Sequence, residues 1–193
     1  MKLLASVTSP YARKLRIIAH ELGQPLTLVE TAPMEDGAAL LAANPLGKVP
    51  VLVLDDGTAL FDSRVISRYL LSLAPGNPLL SADGPAHWYA LTSEAMADGI
   101  LDAAINLRFN AGQGVTTGVW VTRQYRAIDR ALAALAGRIG PGTTLTELCT
   151  MVACEYLDLR WPGIDWRTRH PTLAALQTRL TNQPAFATTR PPA

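Results

Sequence analysis

The sequence has little cysteine, with only Cys149 and Cys154 in a chain of 193 residues. The two are five positions apart in one predicted helix, a spacing that fits neither a CxxC redox pair nor a metal site. Such a low count also argues against the disulfide framework typical of small secreted domains. We therefore expect both thiols to be small apolar core residues of a protein in a reducing compartment.

The chain also lacks an excess of charge of either sign, because 17 basic and 16 acidic residues give a formal net charge of +1. This near-balance creates no field that would attract nucleic acid or an anionic membrane, so neither is expected as a partner. A hydrophobic content of 49% with 17% charged residues is typical of a folded globular protein. The length suffices for one large domain or two small ones, each with its own core.

Long hydrophobic runs are missing as well, since no stretch approaches the length of a membrane span. The apolar run at the start lasts about five residues before Ser6, whereas the core of a signal peptide needs roughly 7–15. Pro10, Arg13 and Lys14 follow at once. We therefore expect a cytoplasmic protein.

Short strands and helices alternate in the first 75 residues, in the order βαβαββα. The first helix follows Ser9, a favoured N-cap, and begins at Pro10, which is favoured at the first position; it ends at Gly23. An Asp56-Gly57 turn between two apolar runs indicates a β-hairpin. The predicted elements are a strand at 2–7, the first helix, a strand at 26–31, a short helix at 37–43, the hairpin at 50–61 and a helix carrying Ile66, Tyr69, Leu70 and Leu73 on one face.

The rest of the chain is predicted to be helical. A stretch rich in proline and glycine, APGNPLLSADG at 74–84, precedes it and gives a linker at 76–84 between domains at 1–75 and 85–193. Thr144 and Glu147 form a capping box ahead of one helix. The expected buried faces consist of Trp88, Leu91 and Ala95; of Tyr125, Ile128, Leu132 and Leu135; and of Leu173, Leu176 and Leu180.

Residues 44–50, Asn-Pro-Leu-Gly-Lys-Val-Pro, stand directly before the hairpin. An ordinary loop explains them, but a Val49–Pro50 bond in front of a strand is also a candidate for the cis form, which occurs almost only before proline. A cis bond would turn the preceding peptide outward. The N–H and C=O of Val49 would then be able to pair with an extended peptide ligand, as an added strand does.

A second candidate binding segment is Asp62-Ser63-Arg64, which opens the helix after the hairpin. Helix capping alone explains it, with Ser63 as N-cap and Asp62 near the positive helix end. The same groups, free backbone N–H donors and a hydroxyl, also bind a ligand carboxylate well. The segment by itself does not decide between the two.

Four motifs together strongly resemble a bacterial glutathione S-transferase: SPYARKLRI, NPLGKVPVL, FDSRVISRYL and LTELCTMVACEYLDLR. They occur in the family's order and spacing across nearly the whole chain. The resemblance implies an α/β plus all-α architecture, with a thioredoxin-like N-terminal domain that binds glutathione and an all-helical C-terminal domain. It also implies a homodimer.

The resemblance assigns roles to individual residues. Ser9 takes the place of the catalytic hydroxyl beside the glutathione sulfur, while Val49 and a cis Pro50 take the place that pairs with the cysteinyl backbone. The family's acidic–serine pair on the γ-glutamyl end corresponds to Asp62 and Ser63. Two further positions, Lys48 and Arg64, match residues that contact glutathione carboxylates in some classes; solvated surface charge is the alternative for both.

The start of the first helix has no cysteine, since Thr8, Ser9 and Ala12 occupy the positions where thiol-dependent relatives carry their nucleophile. Mixed-disulfide chemistry therefore has no nucleophile there, which argues against a glutathione-dependent reductase. Ser6, Thr8 and Tyr11 remain rivals of Ser9 as the catalytic hydroxyl.

We expect a glutathione transferase that activates the glutathione thiol as thiolate for attack on a hydrophobic electrophile, without a metal or redox cofactor. Candidates for contact with the electrophile are residues 106–120, including Arg108 and Phe109; Asp98 and Asp102 are weaker ones, since a solvated helix face explains them. The alternative is a protein of the same fold that binds glutathione or another ligand without turnover, because fold does not fix function.

Overall fold

A computed structural model describes residues 1–192 of the chain. The described residues form two compact units, one made of residues 1–77 with the chain from Gln183 on, the other of residues 78–182. In chain order the elements are β1 (Lys2–Ala5), α1 (Pro10–Glu21), β2 (Thr27–Glu30), a 3-10 helix (Pro33–Glu35), α2 (Ala38–Ala43), β3 (Val51–Val53), β4 (Ala59–Leu60), α3 (Ser63–Ser72), α4 (Gly84–Gly112), α5 (Val119–Ala136), α6 (Leu145–Arg160), α7 (Trp166–Arg169), α8 (Pro171–Leu180) and α9 (Pro184–Thr188).

The first unit is built on a four-stranded sheet in the order β2-β1-β3-β4. Strand β2 is parallel to β1, whereas β3 is antiparallel both to β1 and to β4. The predicted βαβαββα order is confirmed, and so is the hairpin, whose turn has Gly57 at φ +87° and a 2.9 Å bond from Leu54 N to Thr58 O. Helices α1 and α3 pack against each other, and the core residues of these helices and of β1 and β3 are fully buried: Leu3, Leu15, Ile18, Leu52, Ile66 and Leu70.

The last helix, α9, packs against α1 of the same unit. Arg13, only 4% exposed, donates from Nη2 to the Phe186 carbonyl and from Nε to the Thr189 hydroxyl, both at 3.4 Å. Arg16 donates to the carbonyls of Thr188 and Thr189 at 3.3 and 3.4 Å. The expected domain boundaries put these C-terminal residues in the helical domain, whereas the structure groups them with the first unit because α1 supplies their partners.

In the second unit, α4 packs against both α5 and α6. Helix α6 is buried almost all round, and its capping box is present, as predicted from Thr144 and Glu147. Both cysteines lie in α6 as buried thiols outside any disulfide, and burial raises the pKa of the Cys154 thiol. No helix among residues 1–192 combines the length and the apolar composition that crossing a membrane requires.

The buried faces were predicted well for α5 and α8 but not for α4. Ile128, Leu132 and Leu135 are buried in α5, as are Leu173, Leu176 and Leu180 in α8, although Tyr125 is exposed. The predicted α4 face of Trp88, Leu91 and Ala95 is wrong, since Trp88 is 66% exposed. The buried residues in the first half of α4 are small or polar, so hydropathy did not reveal that part of the face: Ala90, Ser93, Glu94, Ala97 and Asp98.

Candidate functional site

Three loop segments meet at one edge of the sheet in the first unit. The chain leaves β1 at Ala5 and reaches Ser9, which starts α1. Because β3 is antiparallel to β1, with Leu4 opposite Val51, the segment that leads into β3 lies beside the end of β1. The end of β4 lies at the same edge, because Leu60 is opposite Leu52. The topology therefore brings together the segments that carry Ser9, Val49 and Ser63.

Ser9 is the N-cap of α1, as predicted, with Pro10 directly after it. Its hydroxyl oxygen accepts a bond from the Ala12 N–H at 3.3 Å, and its own N–H donates to the Ser6 carbonyl at 3.0 Å. The hydroxyl proton makes no hydrogen bond to another described residue. Half-buried Ser9 is therefore able to cap the helix and to donate to an anion at the same time.

The electrostatic environment of Ser9 favours an anion. A helix N-terminus carries a partial positive charge, which contributes about 0.3–1 kcal/mol toward a nearby anion. The first turn of α1 contains no acidic residue that would neutralise this charge. An anionic sulfur held at this end of α1 would thus receive both the helix dipole and the Ser9 hydroxyl.

Two of the rival hydroxyls are already bonded to each other. Ser6 Oγ and Thr8 Oγ1 are 3.2 Å apart, and the Thr8 N–H lies 3.4 Å from Ser6 Oγ. A donor shared within this pair is less available to a ligand than the Ser9 proton. Tyr11, in the first turn of α1, stays a rival.

The segment before β3 is shaped by Asn44, a residue that the sequence analysis did not single out. Its side chain is 2% exposed, and it donates to the Lys48 carbonyl at 2.8 Å while accepting from the Leu46 N–H at 3.0 Å. Gly47 lies in the left-handed region at φ +62°, where a Cβ would come within 3.3 Å of Asp36. An asparagine opening a Pro/Gly loop is the signal that would have found this role.

The Val49–Pro50 peptide bond is cis, as predicted. Neither the N–H nor the C=O of Val49 makes a hydrogen bond to another described residue. An extended peptide is therefore able to pair with both groups without displacing a bond of the protein. Lys48, next to them, is exposed.

At the third segment, Asp62 rather than Ser63 is the N-cap of α3, so the predicted cap is wrong. The Asp62 carboxylate accepts from the Arg64 N–H at 3.0 Å, and Ser63 becomes the first helical residue. Aspartate caps as well as serine does, so sequence alone did not distinguish them. The Phe61–Asp62 peptide bond is also cis.

Because Asp62 is the N-cap of α3, the Ser63 hydroxyl caps no backbone N–H of the helix. The residue is 5% exposed, and its hydroxyl makes no hydrogen bond to another described residue. A hydroxyl without a protein partner at the start of a helix is available to donate to a ligand acceptor. Arg64 follows on the exposed surface of α3.

The candidates in the second unit are more scattered. Asp98 is 2% exposed in the buried face of α4, whereas Asp102 is exposed. The segment at 106–120 presents apolar side chains to solvent, with Phe109 52%, Val119 90% and Trp120 56% exposed. Within residues 1–192, no group of three or more His, Cys, Asp or Glu side chains comes together in a way that would hold a metal ion.

Comparison with known proteins identifies the family. Residues 3–78 match the family model described as glutathione S-transferase, N-terminal domain. The sequence is 35% identical to the uncharacterized GST-like protein YibF of Escherichia coli K12, over 100% of this chain and 99% of that protein. The chain belongs to the glutathione S-transferase family.

Solved structures of family members agree with this assignment. A glutathione S-transferase from Methylobacterium radiotolerans, in complex with glutathione sulfonate, matches at TM-score 0.92 and 35% identity, over 100% of this chain and 95% of that one. A glutathione transferase family member from Pseudomonas fluorescens Pf-5, with bound glutathione, matches at TM-score 0.90 and 38% identity, over 100% and 99%. The N-terminal part is accordingly thioredoxin-like, followed by an all-helical part, as the sequence resemblance implied.

Proposed function

We propose that the protein is a glutathione transferase that activates the glutathione thiol for attack on a hydrophobic electrophile. The observation that carries this proposal is the juxtaposition, at one sheet edge, of three polar groups that can still bond to a ligand: the Ser9 hydroxyl proton, the Val49 peptide and the Ser63 hydroxyl. Family membership supports the choice of glutathione as the ligand for them. A role in detoxification would follow from the same chemistry.

Glutathione binding requires a partner for each part of an extended tripeptide. The Val49 N–H and C=O would pair with the cysteinyl backbone beside Pro50. The buried Ser63 hydroxyl and the N–H groups at the start of α3 would receive the γ-glutamyl carboxylate, with Asp62 on its amino group. Lys48 and Arg64 would attract the carboxylates.

Thiol activation would rest on Ser9. A thiol has a pKa of about 8.5, so most of it is protonated at neutral pH. A hydroxyl is too weak a base to remove the proton, but its hydrogen bond to the thiolate stabilises the charged form by about 1.5–3 kcal/mol. With the dipole of α1, this lowers the pKa of the thiol by about one to two units, at about 1.36 kcal/mol per unit.

The reaction forms one carbon–sulfur bond. The thiolate donates its electron pair to an electrophilic carbon, and the leaving group departs with the electrons of its own bond, or a polarised double bond takes them up and is then protonated by water. The thiol proton passes to solvent when the thiolate forms.

A conjugation assay with glutathione and a halonitroaromatic electrophile tests the proposal. We expect enzyme-dependent formation of the thioether, saturable in glutathione. If glutathione binds by calorimetry but no electrophile is conjugated above the uncatalysed rate, the protein is a non-catalytic binding protein of the same fold. Reduction of a glutathione mixed disulfide would instead indicate a reductase.

The expected homodimer and the cytoplasmic location also belong to the proposal. Val65 and Leu73 on α3 are 48% and 39% exposed, and such apolar side chains are suited to a subunit contact. The reduced state of Cys149 and Cys154, which form no disulfide, supports a reducing compartment. Light scattering at micromolar concentration would contradict the dimer if it gave the monomer mass of 20.7 kDa.

A further inference from the structure

The second unit contains a cavity of about 390 Å³ that involves none of the glutathione-site residues. A volume of this size is typical of small-molecule pockets, which are mostly apolar with a few well-placed polar groups. Polar groups of Arg138, Thr146 and Glu147 line part of its wall. Five of the twelve lining residues are apolar, namely Pro78, Leu79, Pro85, Ala86 and Ala90.

Arg138 is a positively charged residue in the wall of this cavity. Its Nη1 donates to the Tyr89 carbonyl at 3.3 Å and to Ser93 Oγ at 3.1 Å, and its Cζ stands 4.1 Å from the centroid of the Tyr89 ring. The guanidinium is thus fixed in place, with Nε and Nη2 left as donors. Among the described residues, no carboxylate lies within ion-pair distance of it.

The carboxylate of Glu147 also lines the cavity, but its oxygens already accept hydrogen bonds from the protein. Its Oε1 accepts from the Gly140 N–H at 2.8 Å, and its Oε2 accepts from the N–H and the hydroxyl of Thr144 at 2.9 and 2.5 Å. The bond from the Thr144 N–H belongs to the capping box of α6. Both oxygens of Glu147 are thus occupied by neutral donors, and the carboxylate makes no ion pair with Arg138.

Two further features of the cavity favour an anion. Thr146 lines the cavity at 4% exposure, and its hydroxyl makes no hydrogen bond to another described residue. Helix α4 starts beside Pro85 and Ala86 without a side-chain cap on its first N–H groups, because Asp83 makes no capping bond. A fixed guanidinium and an unpartnered hydroxyl therefore line the same space, beside the start of α4.

We propose that this cavity is a second binding site, for a small organic carboxylate with a compact apolar body. The carboxylate would accept from the free donors of Arg138 and from Thr146, while the body rests against the proline and alanine side chains. A neutral ligand would leave the guanidinium unpaired, and a cation would be repelled by it. The site is independent of the glutathione site and of turnover.

The test is an NMR titration of the full-length protein with benzoate in the presence of saturating glutathione. We expect saturable shifts of the Thr146, Ala86 and Ala90 methyl signals. Benzamide, which has nearly the same shape but no charge, should bind at least tenfold more weakly. Arg138→Gln should weaken benzoate binding by about tenfold to a hundredfold, because it removes charged donors. The matched change Arg126→Gln on the exposed side of α5 should have no effect.

Arg138 also packs on Tyr89, so melting of the Arg138→Gln variant is measured first. If it is unfolded, Thr146→Val and the benzamide comparison decide the question, since neither depends on that variant. Equal affinity for benzoate and benzamide would overturn the proposal. So would benzoate shifts confined to residues 1–77, or unchanged benzoate affinity in a folded Arg138→Gln variant.

Discussion

The guanidinium of Arg13 in α1 donates to the carbonyl oxygen of Phe186 in α9, with 3.4 Å between Nη2 and the oxygen. Nε of the same side chain donates to the Thr189 hydroxyl. One buried cation thereby joins the first helix to the last, across 173 positions of sequence. The carbonyl groups at the end of α9 carry partial negative charge, which complements this cation.

Replacing Arg13 by methionine should lower the free energy of unfolding. The change keeps much of the apolar stem but removes hydrogen bonds from a charged donor, each of which contributes about 1.5–3 kcal/mol when buried partners are left unsatisfied. Denaturant unfolding measures the loss. Arg126→Met, at an exposed position of α5, is the matched control and should change stability by less than about 0.5 kcal/mol. Equal stability of the two variants would contradict the structural role of Arg13.

Ser9→Gly should separate the two roles of Ser9. Glycine is a tolerable N-cap, so the loss of stability should be only a few tenths of a kcal/mol. Loss of the hydroxyl should raise the pKa of bound glutathione and reduce turnover at neutral pH by about tenfold to a hundredfold. Thiolate absorbance against pH and steady-state kinetics measure both effects.

The control for Ser9 is Thr144→Ala, which removes the cap of α6 in the other unit. It should lower stability by about 0.5–2 kcal/mol and leave the pKa of the bound thiol unchanged. If Ser9→Gly also leaves that pKa unchanged, Ser9 is only a cap. The catalytic hydroxyl would then be Tyr11, Thr8 or Ser6.

Ser63 and Ser67 are both buried residues of α3, which makes them suitable for a matched comparison. Ser67 is fully buried, and its Oγ has no hydrogen-bond partner. Ser63→Ala should weaken glutathione binding by about tenfold to a hundredfold, because it removes a donor to the ligand carboxylate. Ser67→Ala should leave that affinity unchanged and stabilise the fold by up to about 1 kcal/mol, because an unsatisfied buried hydroxyl is removed. Calorimetry with glutathione and thermal melting test both expectations. Equal affinities of the two variants would exclude Ser63 from the site.

Because of the Cys154 thiol, we expect the stability of the protein to fall at alkaline pH. Burial raises its pKa in the folded protein, whereas the unfolded chain has a thiol pKa of about 8.5. Above that pH the unfolded state binds fewer protons than the folded state, so stability falls as pH rises, by at most about 1.4 kcal/mol per pH unit. Stability below pH 8 is unaffected. Cys154→Ala should show a shallower alkaline fall in denaturant unfolding, and identical profiles would contradict the expectation.

Local signals predicted the parts of the fold that depend on local geometry. The cap at Ser9, the hairpin turn at Gly57 and the capping box at Thr144 are each decided by a few neighbouring residues, and all three are confirmed. The cap of α3 was missed because Asp62 and Ser63 are both good caps. The buried face of α4 was not predicted because packing against α5 and α6, rather than side-chain hydropathy alone, decides which of its residues are buried.

For the candidate site too, the residues that belong to local motifs were predicted, whereas their arrangement in space was not. Ser9, Val49 and Ser63 were recognised as residue types in motifs, but their meeting at one edge depends on the strand register, which pairs Leu4 with Val51. Asn44 was missed because its role is a pair of bonds to backbone groups of its own loop. Nothing near Arg13 in the sequence indicates that Phe186 is its partner.

The return of the chain to the first unit has a consequence for biosynthesis. The polypeptide leaves that unit at Asn77 and rejoins it at Gln183, so the whole second unit is translated in between. At ribosomal rates of about 5–20 residues per second, the intervening stretch of about 105 residues takes roughly 5–20 seconds. During that interval α1 exists without the carbonyl groups that accept from its arginines. Residues 1–77 are therefore made well before their fold can be completed, and helix α1 depends on a residue that the ribosome adds 173 positions after Arg13.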